Sequence, residues 1–168
     1  IYAAGFACLL VRLSFFDVQF AAAGLFACWA MLIIGLADLK YMIIPDQFVI
    51  MLALSAFGFI PYHDGIMQPL FGALAGGGVM LMVAVLGGAL FRKDVMGFGD
   101  VKLFTCLGLC LGIRGTVAVL IGASLLSGIA AAAGILLKKY SRDDVKPLGP
   151  YICGCGIFYI FVVWPFLI

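Results

Sequence analysis

Two segments of the 168-residue chain place an aspartate at the edge of an apolar run. They are Ala37-Asp38-Leu39-Lys40-Tyr41-Met42-Ile43-Ile44-Pro45-Asp46 and Gly97-Phe98-Gly99-Asp100-Val101-Lys102. Ionisable residues beside hydrocarbon are costly, face a protein interior or a water-filled cavity, and so mark functional positions. Asp38 closes a long apolar helix, where the negative end of the helix dipole disfavours a carboxylate. Asp100 has a competing structural explanation, because an aspartate between a glycine and an apolar run is a good amino-terminal cap. Capping does not account for the two glycines of G-x-G-D, which permit unusual backbone angles and close approach of another chain. Asp46, after Pro45 and before the next apolar run, is expected to cap its helix.

Two carboxylates a few ångströms apart do not both ionise readily and share one proton near working pH. One can take a proton from water as the water attacks a carbonyl; the other steadies the oxyanion and helps protonate the leaving amine. Asp100, at the positive end of its helix, is expected to ionise more easily, leaving the shared proton on Asp38. Lys40 and Lys102 each follow their aspartate by two residues, which turns them to another helix face, and they read as interface anchors. Gly97 and Gly99 would shape a loop beside which an extended substrate lies.

The elements that must hold these residues are membrane helices. Of the residues, 66% are hydrophobic and 11% charged, against roughly 45–50% and about 25% in soluble domains. Apolar runs cover 1–16, 18–37, 48–60, 66–91, 98–113, 115–137 and 149–168. At about 20 apolar residues per crossing, they predict an all-α, polytopic membrane bundle of about seven transmembrane helices, forming a single domain over 1–168. Nearly every charge falls between the runs. With the loop after the second run cytoplasmic, eight Lys and Arg lie on that side (Lys40, Arg92, Lys93, Lys102, Lys138, Lys139, Arg142, Lys146) against Arg12 and Arg114 opposite. That asymmetry places the amino end inside and both G-x-G-D and Asp38 on the cytoplasmic face. The few ionisable groups form no basic stripe, which excludes a nucleic-acid surface.

The six cysteines show no paired C-x-x-C spacing, so neither a zinc site nor a disulfide framework is expected. They read as packing hydrophobes. Gly72 with Gly76, and Gly108 with Gly112, are spaced for close helix contact. His63, the only histidine, stands in Pro61-Tyr62-His63-Asp64-Gly65 and reads as part of a solvated turn on the opposite face.

Taken together, Asp38-Leu39-Lys40 with Ile44-Pro45-Asp46, then Gly97-Phe98-Gly99-Asp100-Val101-Lys102-Leu103, then Pro147-Leu148-Gly149-Pro150, resemble the type 4 prepilin peptidases. These are membrane aspartic proteases of the GxGD class. The resemblance covers most of the chain and implies Asp38 and Asp100 as catalytic aspartates, with Gly97, Gly99, Lys102, Lys40 and Asp46 around them. It implies prepilin or pseudopilin substrates of type IV pilus or type II secretion systems, cut after a glycine that precedes an apolar helix. The implied location is the bacterial cytoplasmic membrane, in contact with lipid, and the implied proteolysis needs no metal or cofactor. Longer members carry a further amino-terminal span and a cytoplasmic segment with C-x-x-C motifs, and many methylate the new amino terminus with S-adenosylmethionine. Those features are not in this sequence, so that cofactor is expected only if a methyltransferase activity is retained. A chain opening at Ile1 is expected to be such a protein without its first span and cytoplasmic segment, or a naturally short member. Two other classes compete: a small proton-coupled transporter, whose site would lie near the bilayer midplane, and a noncatalytic scaffold of a secretion or pilus assembly.

Overall fold

A computed structural model describes residues 17–91, 97–137 and 147–164. The run at 1–16 and the charged segments around Arg92 and Lys138 lie outside the described residues, as does Cys8. The described chain is helical: α1 (Val18–Tyr41), α2 (Asp46–Phe59, continued by a 3-10 turn Ile60–Tyr62), α3 (Met67–Phe91), α4 (Phe98–Leu136) and α5 (Gly149–Phe158, continued by a π-helical turn Tyr159–Val163). Three stretches are long and apolar enough to cross a bilayer, Val18–Tyr41, Met67–Leu90 and Phe98–Gly134; Asp46–Tyr62 and Gly149–Val163 are shorter apolar helices. These fit a multi-pass membrane protein.

Local chemistry sets the ends. α1 stops where Met42 turns left-handed at φ 52° and its N–H donates to the Asp38 carbonyl, a common helix terminator. Pro45 then precedes the first residue of α2. The expectation that Asp46 caps α2 is corrected here: Asp46 is already helical, and its carboxylate reaches Lys102 instead of the free N–H groups of its own first turn.

α4 is not one rod. Gly112 sits at φ 67°, ψ −177°, a region that a residue with a Cβ enters only under strain. A Cβ built on Gly76 of α3 would lie 2.6 Å from the Phe104 oxygen and 3.0 Å from Thr116 Cγ2. Those two residues, 12 positions apart, would be separated by about 18 Å along a straight helix. The helix therefore folds back at Gly112, giving arms 98–111 and 113–136, with α3 laid against both. The arms correspond to the two apolar runs expected there, with the break at Gly112 rather than at 113–115. The glycine spacings match this packing: Gly72 meets the backbone of Gly108 and Gly112, and Gly77 meets Thr105.

The core lies between α1, α2, the first arm of α4 and α5. Its fully buried side chains include Met31, Ile34, Leu52, Phe104, Leu107 and Ile152. Far from Asp38, Phe20 packs edge-on against Phe59 and Trp164, whose rings stack on each other. His63 joins this aromatic end, its ring 5.2 Å from that of Trp164. It is not the solvated turn residue expected: half-buried, it approaches the Cys110 carbonyl oxygen with Nε2 at 3.1 Å. A carbonyl only accepts, so Nε2 carries the proton and caps the end of the first arm of α4. Burial holds the His63 pKa below its ordinary 6.5, against smaller opposing effects of that hydrogen bond and of Asp64. The five described cysteines are all free, and Cys28, Cys110 and Cys153 are buried.

Candidate active site

The last turn of α1, the first turn of α4 and the first residue of α5 converge on Asp38 and Asp100. Asp38 is 6% exposed, although it ends an otherwise apolar helix. Its Oδ2 accepts the Gly149 N–H at 2.9 Å across 111 positions of sequence. A Cβ on Gly149 would sit 2.6 Å from that oxygen, so this approach needs glycine. One turn earlier in α1, Gly35 leaves room for α5: a Cβ there would be 3.4 Å from Cys153 Cβ and 3.7 Å from Pro150 Cα.

Asp100 is half-buried in the first turn of α4. The expected capping role does not account for it. The helix begins at Phe98, and the Asp100 N–H already donates to the Gly97 carbonyl at 3.1 Å. The carboxylate is therefore free for another task, and it is near enough to Asp38 for the two charges to repel. The Cys153 sulfur, on α5, is within electrostatic reach of both. A hydrogen-bonded, buried carboxylate beside a second, more open one has the parts for general acid and base work.

The neighbours sort differently from expectation. Among the described residues the one glycine at positive φ is Gly112, so Gly97 and Gly99 do not supply unusual backbone angles. Gly99 does give close approach, since a Cβ there would meet the Ile44 side chain at 3.1 Å; beside Gly97 the first neighbour is the Gly99 nitrogen at 3.9 Å. Ile44 thus seats the α1–α2 connection against the G-x-G-D turn. Lys102 Nζ holds both Asp46 oxygens, at 2.9 and 3.1 Å, fastening the start of α2 to the start of α4. Lys40 points outward, with Nζ 5.1 Å from the centre of the Tyr41 ring.

Gly149 was not singled out as a site residue from sequence. Its contribution is a main-chain N–H, which no residue letter displays; the usable signal was a glycine followed by proline at the start of an apolar run.

A sequence model described as the type IV leader peptidase family matches residues 25–132, which include both aspartates. Several curated proteins named prepilin leader peptidase/N-methyltransferase are similar. That of Aeromonas salmonicida strain A449 is 30% identical over 148 residues, covering 84% of this chain and 49% of that protein. Those of Pseudomonas aeruginosa and Xanthomonas campestris pv. campestris are 30% and 29% identical, over 86% and 84% of this chain and 50% of each relative. The chain spans about half the length of the curated relatives it matches. No solved structure matches it. With the family match extending over more than half of the sequence, the chain belongs to the type IV leader peptidase family.

Proposed function

We propose that this chain carries the peptidase activity of a membrane aspartic endopeptidase that removes the leader from prepilins or pseudopilins at the cytoplasmic membrane face. The observation that supports it most directly is that Asp38 and Asp100, 62 positions apart in sequence, come within electrostatic reach of each other at one end of the bundle. In the proposed bundle of about seven spans the charge asymmetry turns that end to the cytoplasm. There it reaches the junction between a soluble leader and an apolar helix already in the bilayer.

The reaction follows from the pair. One aspartate is a carboxylate and the other a carboxylic acid. The carboxylate takes a proton from water while the water oxygen bonds to the scissile carbonyl carbon. The acid passes its proton to the carbonyl oxygen, giving a neutral diol. The first aspartate then returns its proton to the leaving nitrogen as the C–N bond breaks, and a diol proton restores the second. Acid, amine and the original dyad result, with no covalent intermediate.

The relatives' names include N-methyltransferase. The cavity of about 470 Å³ between the second arm of α4 and α5 is lined by residues such as Val119, Leu126, Phe158 and Val163. It presents neither a carboxylate nor a cluster of donors for a ribose or a methionyl group, so this cavity does not fit S-adenosylmethionine.

The test is cleavage of a purified prepilin by the reconstituted chain and by Asp38→Asn and Asp100→Asn, with helical content and melting recorded for each. Asparagine keeps the shape and removes the carboxyl chemistry. Folded variants that have lost leader cleavage support the dyad; a folded variant that still cuts rejects it.

A further inference from the structure

We infer that the Gly149 N–H, at the head of α5, fixes the negative charge on Asp38, which makes Asp38 the carboxylate that takes the water proton and Asp100 the carboxylic acid. The roles in catalysis rest on the peptidase reading above; the location of the charge does not.

Helix dipoles considered one at a time give the opposite order. Asp38 lies at the negative end of α1 and Asp100 at the positive end of α4. Tertiary structure adds a donor that neither segment contains. The Gly149 N–H is one of the free amides of the first turn of α5, and it reaches Asp38 Oδ2 at 2.9 Å in a buried setting. A donor held against a carboxylate favours its charged form, and such charge-assisted bonds are stronger than neutral ones. The positive end of α5 therefore offsets the negative end of α1 at this carboxylate. Among the described residues no hydrogen bond reaches the Asp100 carboxylate.

No cation overrides that preference among the described residues. Among the described residues the titratable groups within electrostatic reach of Asp38 are Asp100 on α4 and Cys153 on α5. Lys40, on its own helix, lies over Tyr41, and Lys102 is bound to Asp46. Among the described residues two acids and a thiol share the site without a counter-ion, so one carboxylate holds the charge and the amide selects which. Pro150 follows Gly149 within the first turn of α5; having no N–H of its own, it leaves the Gly149 amide as the donor directed at Asp38.

The experiment is a carbon-13 NMR titration of the side-chain carboxyls in the full chain, labelled at aspartate and held in nanodiscs. Asp38→Asn and Asp100→Asn serve to assign the two signals by their disappearance. In the wild type, the first deprotonation of the pair is expected to move the Asp38 signal through most of its change, while the Asp100 signal keeps the shift of an acid. If Asp100 moves first, or both move equally, the inference is overturned. Gly149→Ala displaces the amide and is expected to shift the first deprotonation away from Asp38. An unchanged order in folded Gly149→Ala would remove the amide as the cause. The wild-type titration decides the charge location even where that variant does not fold. None of these readings requires cleavage, so loss of the peptidase reading and loss of this one are separable.

Discussion

His63 and Cys110 are joined by a hydrogen bond of 3.1 Å between the Nε2 of one and the carbonyl of the other, 47 positions away, and this bond secures the fold-back of α4. Burial lowers the His63 pKa, so the folded state resists its protonation. Above the ordinary value of 6.5 both folded and unfolded chains hold the ring neutral and the contact is intact. Below it the unfolded chain gains a proton first, so stability falls as pH drops from 6.5 toward the lower folded value. His63→Gln keeps a donor that does not titrate and is expected to flatten that slope. Melting temperatures of both proteins in detergent, from about pH 5 to about pH 8, check it; parallel slopes would assign the pH dependence elsewhere.

Glycine packing between α3 and α4 gives a second prediction. A Cβ on Gly72 would run into the backbone oxygen of Gly108, whereas one on Gly78, in the same helix, meets nothing within 4 Å. Backbone cannot give way as a side chain does, so Gly72→Ala is expected to destabilise by about 1–3 kcal/mol. Gly78→Ala is expected to be neutral or to stabilise by up to about 1 kcal/mol. Denaturant titration in a fixed micelle compares the two; equal losses would show that this interface is not as close as described.

Gly112 holds the sharpest backbone turn, at φ 67°, and a Cβ there would also meet His63 Cε1 at 3.1 Å. Gly112→Ala is expected to cost about 1–3 kcal/mol. The distance between spin labels at Leu90 and Leu125 would report whether the arms still fold back. An unaltered distance together with unaltered stability would count against the strain.

Among the described residues the apolar runs foretold the helices: the run at 18–37 became Val18–Tyr41, and that at 66–91 became Met67–Phe91, because length and hydropathy are local properties. The break between the two runs of α4 was legible from the charge at Arg114, although Gly112, where the chain turns, was read only as a packing glycine. Local rules failed where a distant segment arrives. Asp46 and Asp100 both looked like caps, yet the partner of Asp46 is Lys102, 56 positions away, and the Asp100 carboxylate lies within electrostatic reach of Asp38. His63 looked like a solvated turn because the carbonyl it caps belongs to another helix. Gly149 was read as part of a motif but not as a site residue, because its useful group is main chain.

The Lys102–Asp46 pair is well formed at 2.9 Å, but its side chains are 53% and 65% exposed. Exposed pairs contribute roughly 0–1 kcal/mol and weaken in salt. A double-mutant cycle with Lys102→Met and Asp46→Asn is expected to give coupling in that range, fading with added salt. Leader cleavage by both single variants is expected to stay within a few fold of wild type. Loss of cleavage in folded Lys102→Met would place that lysine in the chemistry instead.

Gly97 and Gly99 separate a local from a positional effect. Valine at 99 must push Ile44, which a Cβ there would already meet at 3.1 Å, while valine at 97 has open space to at least 3.9 Å. Gly99→Val therefore displaces the α1–α2 connection against the residue directly before Asp100. A shift of about 1 Å in a reacting group can cost roughly 100-fold in rate, whereas moving one flexible aliphatic side chain costs little stability. Gly99→Val is thus expected to retain its melting temperature and lose most cleavage, with Gly97→Val the milder of the two. Measuring rate and melting on the same preparations decides it. If activity and folded protein fall in step in both variants, the glycines serve the helix start rather than the dyad, and Ile44 has no part in placing Asp100.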